Sequence, residues 1–205
     1  MKPDDEEKMI SESLAKEAEE AKKADKIGYM ARSLIQATLP HKATPGSEFV
    51  RRNGHLTLTI LTPSAIGLPY GSIPRLLLSW ITTEAFFTKS PVLQLGSTLS
   101  SFMAELGLLR TGGKRGDITR FRNQSKRLFS SSIFCHYADG QHDAGDALTI
   151  AAHHRLWWDP KQPDQMPLWQ STVTLGTEFF NEIIKNPVPV DMEALKYLKR
   201  SPLAL

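Results

Sequence analysis

An α+β fold is predicted for this chain of 205 residues by three observations. Residues 55–60 alternate apolar and polar side chains and are rich in β-branched types, the period of a half-buried strand. Residues 73–87 and 118–129 instead repeat apolar side chains at spacings of three and four, the period of a helix. Both kinds of run recur along the chain, separated by clusters of Gly, Pro, Asp and Ser that suit turns.

Composition narrows the class. Hydrophobic residues at 40% and charged residues at 23% are ordinary for a folded soluble protein and exclude a fibrous or wholly disordered chain. The most apolar stretch, residues 73–81, is broken by Pro74, Arg75 and Ser79, so nothing approaches the ~20 apolar residues of a membrane helix, and no membrane partner is expected. The acidic start lacks an apolar signal segment, and the single cysteine, Cys135, allows no internal disulfide. A cytoplasmic location is expected.

The net charge of +3 conceals an asymmetry. Residues 1–26 carry nine acids and six lysines. Residues 110–127 carry seven bases (Arg110, Lys114, Arg115, Arg120, Arg122, Lys126, Arg127) and one acid, Asp117. So local a surplus is the footprint of a protein that binds a polyanion.

Taken in order, residues 1–26 are rich in Glu, Lys and Ala, with too thin an apolar row to hold a helix on a core, and read as an acidic, disordered or loosely helical tail. A helix is expected over 28–39, stopped by Pro40, and residues 51–54 read as a turn before the strand at 55–60. Residues 63–72 form a loop dense in turn residues. Ser72 then opens a helix to about residue 87, with Pro74 in its first turn, where a missing N–H loses no bond. Residues 92–96 are a short strand. Ser97 is placed to cap a helix through residue 106, ended by Gly107.

A glycine-rich connector, residues 111–116, leads to Asp117, a good N-cap for a helix over 118–131. At 100° per residue, Ile118, Phe121, Ser125, Leu128 and Phe129 fall on one face. Arg120, Asn123, Gln124 and Arg127 fall opposite, with Arg122 and Lys126 on the flank. Strands over 132–137 and 147–153 follow, joined by a polar hairpin tip; a strand over 168–175 and a helix over 177–185 complete the set. Helix, connector, helix and hairpin is the order of a winged helix, so a winged-helix domain is expected over 27–187.

The 118–131 helix has the residue types of a DNA reader. Arginine bridges guanine O6 and N7, and Asn or Gln pairs with adenine N6 and N7. Lys114 and Arg115, ahead of the helix, suit backbone phosphates; Arg120, Asn123, Gln124 and Arg127 are the candidates for base edges. The bland alternative is a solvated basic face, but such faces usually mix signs. Double-stranded DNA is therefore the expected partner.

Other motifs carry less. Residues 107–114 nearly spell a phosphate-binding loop, but one residue too many precedes Lys114, Arg115 stands where Ser or Thr is required, and a helix comes before it rather than a strand. Cys135, His136, His142, His153 and His154 lack the paired spacing of zinc ligands. No cofactor, metal or enzymatic activity is expected. Of the adjacent Trp157 and Trp158, an extended backbone would leave one near the surface.

Leu68-Pro69-Tyr70-Gly71-Ser72-Ile73-Pro74-Arg75-Leu76-Leu77-Leu78-Ser79-Trp80 resembles the plasmid-encoded RepA replication initiators. The resemblance continues through Ser101-Phe102-Met103-Ala104-Glu105-Leu106-Gly107-Leu108, Gly112-Gly113, Arg127-Leu128-Phe129, Leu168-Trp169 and Phe179-Phe180. It ends with Pro187-Val188-Pro189-Val190-Asp191-Met192 and Ser201-Pro202-Leu203-Ala204-Leu205, and spans about residues 27–205.

The resemblance implies a bacterial plasmid initiator that binds repeated origin sites, helps open the duplex and engages a host initiator and helicase, with no catalytic residues. It also implies two winged helices, the first supporting a homodimer and backbone contact, the second reading bases. Residues 188–205 are then a linker and the truncated start of the second, since Ser201-Pro202 begins a helix that only three residues follow. Two alternatives stay open: a truncated dimerisation or regulatory module acting through protein–protein contacts, and a transcriptional repressor using the same basic helix.

Overall fold

The computed structural model describes Glu20 and residues 27–36, 38–113, 116–159 and 161–197. The acidic tail, Glu20 excepted, lies outside the described residues, as do Lys114, Arg115 and residues 198–205. The chain opens with β1 (Ile27–Ala31), α1 (Arg32–Gln36), β2 (Glu48–Asn53) and β3 (Leu56–Leu61). Next come α2 (Ser72–Thr88), β4 (Val92–Gln94), α3 (Leu99–Glu105) and α4 (Asp117–Phe129). Then follow β5 (Ser132–Ala138), β6 (Asp143–Thr149), β7 (Ala151–Arg155), β8 (Thr172–Leu175), α5 (Thr177–Lys185), β9 (Pro187–Asp191) and α6 (Met192–Tyr197). The strands form three antiparallel sheets, ordered β1-β9, β2-β3-β5-β6 and β4-β8-β7.

Helix α2 runs through the core. Every residue from Ile73 to Thr83 is buried, so its polar members need partners inside the fold. Thr82 directs its hydroxyl at the carbonyls of Tyr29 and Leu78, and Thr83 Oγ1 accepts the Tyr29 N–H at 2.8 Å. Ser79 Oγ donates to Met192 Sδ at 2.9 Å. Trp80 donates from Nε1 to Glu105 at 2.6 Å and meets Phe102 in a T-shaped contact, with centroids 4.7 Å apart.

These contacts explain the first departure from expectation. Residues 28–39 were expected as one helix; the helix is confined to α1, and residues 27–31 are strand β1. Pairing with β9 and the threonines of α2 satisfies the strand's backbone, and neither partner is visible in the local pattern. Gly28 is the point of closest approach: a Cβ there would fall 2.8 Å from Thr83 Oγ1 and nearer still to Met192.

The stretch from residue 188, expected as a linker, instead pairs as β9 with β1 and continues into α6, which buries Met192 and Leu195. Its apolar side chains find their surroundings on the domain that precedes it.

The hairpin after α4 forms, but its second arm changes sheet. β6 stays with β5, whose other neighbour is β3; the chain bends at fully buried Ile150, and β7 then joins β8. The expected 147–153 strand thus straddles two sheets. Of residues 51–54, expected as a turn, 51–53 belong to β2, and the turn narrows to Gly54 and His55, with Gly54 at φ +58°. β8 is shorter than expected, and Leu168 and Trp169 stand exposed. Thr98, rather than Ser97, caps α3 in a reciprocal box with Ser101.

Candidate nucleic-acid interface

Helix α4 is seated by its apolar face. Ile118, Phe121, Ser125, Leu128 and Phe129 are all buried, as the periodicity requires. Phe121 meets Phe102 and Trp158, at centroid distances of 5.8 and 5.9 Å, and Trp158 stacks on Phe102 at 5.5 Å. Of the tryptophan pair, Trp158 packs inward while Trp157 is exposed beside Trp169.

The helix start is pinned rather than capped by its own acid. Gly116 occupies the cap position, and Asp117, expected there, is the first helical residue. A Cβ on Gly116 would collide with the Thr111 and Gly112 backbone, so the connector folds tightly back. Thr111 Oγ1 accepts the Asp117 N–H at 2.9 Å, and Thr119 Oγ1 donates to the Gly113 carbonyl at 2.8 Å. Asp117 is freed to pair with Arg120 at 3.2 Å.

The outer face divides in two. Arg120, Arg122, Asn123 and Lys126 are exposed. Gln124 and Arg127, expected to share that outward face, turn back instead. Gln124 is only 6% exposed, and its Oε1 accepts the Tyr70 N–H at 2.9 Å. Arg127 donates from Nη1 to the Leu68 carbonyl at 2.9 Å, and its guanidinium lies 5.4 Å over the Tyr70 ring. A helical wheel assumes water opposite the core; here the 63–72 loop folds over that edge and claims both side chains. Lys114 and Arg115 lie outside the described residues.

Two depressions flank α4. One, about 350 Å³, opens toward His41, Lys42 and Tyr70 and includes Arg120, Asn123 and Gln124. The other, about 480 Å³, is lined by Arg122, Asn123, Lys126, His154 and Trp158. Sequence reasoning missed His41, Lys42, Tyr70 and His154 as neighbours of this helix, because only the tertiary fold brings them there. Partial burial lowers the His154 pKa below its ordinary value.

Elsewhere, among the described residues, no three His, Cys, Asp or Glu side chains converge as a metal site. No helix among them is long and apolar enough to cross a membrane. Cys135 is buried, and that burial pushes its thiol up to about 11.

The sequence profile of the family described as plasmid encoded RepA protein matches residues 68–205. No curated protein sequence matches the chain. Among solved structures, the selenomethionine form of domains 2 and 3 of RctB is similar, with a TM-score of 0.51 at 11% identity over 74% of this chain. The chain spans 61% of that structure's length. A second structure of RctB domains 2–3 gives a TM-score of 0.48 at 13% identity, covering 83% of this chain and 69% of that one. At 11% identity the first of these likenesses is one of fold.

Proposed function

The chain belongs to the plasmid-encoded RepA family, and on that premise we propose that it is a plasmid replication initiator that binds repeated double-stranded sites at the origin. The observation that carries this reading is the exposed row Arg120, Arg122, Asn123 and Lys126, seated on a rigid aromatic base and balanced by Asp117 alone on that helix. On this reading α4 is the DNA-contacting helix of a winged helix built from α2, β4, α3, α4, β7 and β8. Its wing is residues 156–171, between β7 and β8, in place of the hairpin expected from sequence. The protein acts by binding, without a catalytic step of its own, in the bacterial cytoplasm beside plasmid DNA. It delivers the origin to a host initiator and helicase.

Most contacts from α4 on this reading go to phosphates and set affinity more than sequence preference. The test is fluorescence anisotropy with origin-repeat and scrambled duplexes at several salt concentrations. Binding that weakens steeply with salt supports the reading, because neutralised phosphates release counterions. Salt-independent binding, or none, overturns it.

A second reading, a dimerisation or regulatory module, has one observation in its favour. On the outer face of the β2-β3-β5-β6 sheet, Val50 (49%), Leu61 (40%) and Phe134 (40%) are exposed, with Val50 and Phe134 in register across Thr59. Light scattering on the same sample separates a homodimer formed there from a monomer. A transcriptional repressor would use α4 in the same way.

A further inference from the structure

The depression between α4 and residues 41–43 and 70–73 is built for an anion. Its ligating groups are donors: Lys42, Arg120 and Asn123 reach it from the exposed side, and no carboxylate is among its described lining residues. Gln124 supplies the floor. Of the two ends of a carboxamide only the oxygen accepts, so the bond from the Tyr70 N–H fixes which end faces the loop. The Nε2 group is thereby turned away from the loop, on a residue only 6% exposed that lines the depression.

Behind this floor stands the first turn of the 17-residue helix α2, where Gly71 holds the cap position with no side-chain cap. Ser72 and Ile73 line the depression, so the positive end of that helix faces it. His41 adds no acceptor at Nδ1, which takes a hydrogen bond from the buried Arg75 guanidinium at 2.6 Å; the ring's proton is therefore on Nε2.

The position relative to α4 identifies the source of the anion. An α-helix with its side chains is about 10–12 Å across and fills a major groove about 12 Å wide, so the two phosphate strands run along its flanks. The depressions lie on those flanks, and Asn123 alone among α4 side chains lines both. We propose that the 41–43/70–73 depression seats one backbone phosphodiester of duplex DNA. Lys42 supplies the charge together with Arg120, whose guanidinium is shared with Asp117 at 3.2 Å; the Gln124 carboxamide is a neutral donor, and Asn123 is the crest that faces base edges. The proposal rests on the DNA-binding reading above.

Two variants of the full chain test it against a 30-base-pair duplex of the plasmid's own origin and a scrambled one. Gln124→Glu keeps an oxygen for the Tyr70 N–H but replaces the donor with a negative charge; binding to both duplexes should weaken by about tenfold or more. Lys42→Ala, at an exposed loop position, should flatten the dependence of log K on log salt by about 0.9, one phosphate's worth. It decides the matter if the first variant fails to fold by circular dichroism. Wild-type binding that neither variant changes overturns the seat and leaves the DNA reading standing. No wild-type binding to either duplex overturns both. Titration with inorganic phosphate alone distinguishes a free-anion site: saturable binding lost in both variants, with duplex binding intact, also overturns the proposal.

Discussion

The backbone N–H of Tyr70 donates to Oε1 of Gln124 across 2.9 Å, tying a loop to α4 from 54 residues away. Deleting the acceptor while keeping the volume strands that part-buried N–H. Gln124→Leu should therefore destabilise the fold by roughly 1–3 kcal/mol in urea denaturation, with the slope on denaturant unchanged. A loss below the error of the measurement would mean that water replaces the carboxamide without penalty.

Replacing the exposed cations of α4 should act differently from replacing its amide. Arg122→Ala and Lys126→Ala should each weaken origin and scrambled duplexes alike and lower the salt slope by about 0.9. Asn123→Ala should leave the slope alone and lose about 1–3 kcal/mol of discrimination at one A·T pair. Competition between origin repeats carrying single substitutions and the scrambled duplex reads out both effects.

Cys135 titrates above its ordinary range, its thiol pushed up from 9.0 to about 11 chiefly by burial. The fold thus favours the neutral thiol. Its contribution to stability is fully present below pH 9 and is lost as pH rises from 9 through 11. In Cys135→Ala that part of the alkaline decline should vanish. At pH 7.5 the native thiol should react with iodoacetamide far more slowly than the thiol in urea.

Gly28→Ala drives a methyl group against Met192 and Thr83, and this overpacking should cost about 1–3 kcal/mol. Adding Met192→Ala opens space for the methyl, so the double variant should lose less than the sum of the singles. Thermal melts of all four proteins complete the cycle. Strict additivity would show that the strand moves aside instead.

What was legible in the sequence follows from where the information lies. The buried faces of α2 and α4 could be read because Leu76, Trp80, Phe121 and Leu128 recur at the helical period, and α5 has the bounds given by its Thr177 start. β1 could not be read, because what makes residues 27–31 extended is a ladder to residues 187–191 at the far end of the described chain. The outward face of α4 was half legible. The sequence reading set Gln124 and Arg127 opposite the core, but at 100° per residue Gln124 lies only about 40° from buried Leu128, and the folded 63–72 loop holds both side chains back from solvent. Likewise Lys42 and His154 approach α4 through the tertiary fold, which no local motif announces.

The β1–β9 ribbon also has a mechanical consequence. Its strands are antiparallel and Ile27 lies across from Asp191, so the polypeptide meets the ribbon from the same end on both strands. Tension applied there peels the ladder one rung at a time, a weak geometry, whereas shearing would load all rungs together. With handles at positions 27 and 191 in optical tweezers, a small low-force step should precede the rupture of the body around Leu77 and Phe102. In that peeled state Thr82 and Thr83 lose the Tyr29 backbone as partner while α4 keeps its seat on Phe102 and Trp158. Force on the ribbon is thereby decoupled from α4.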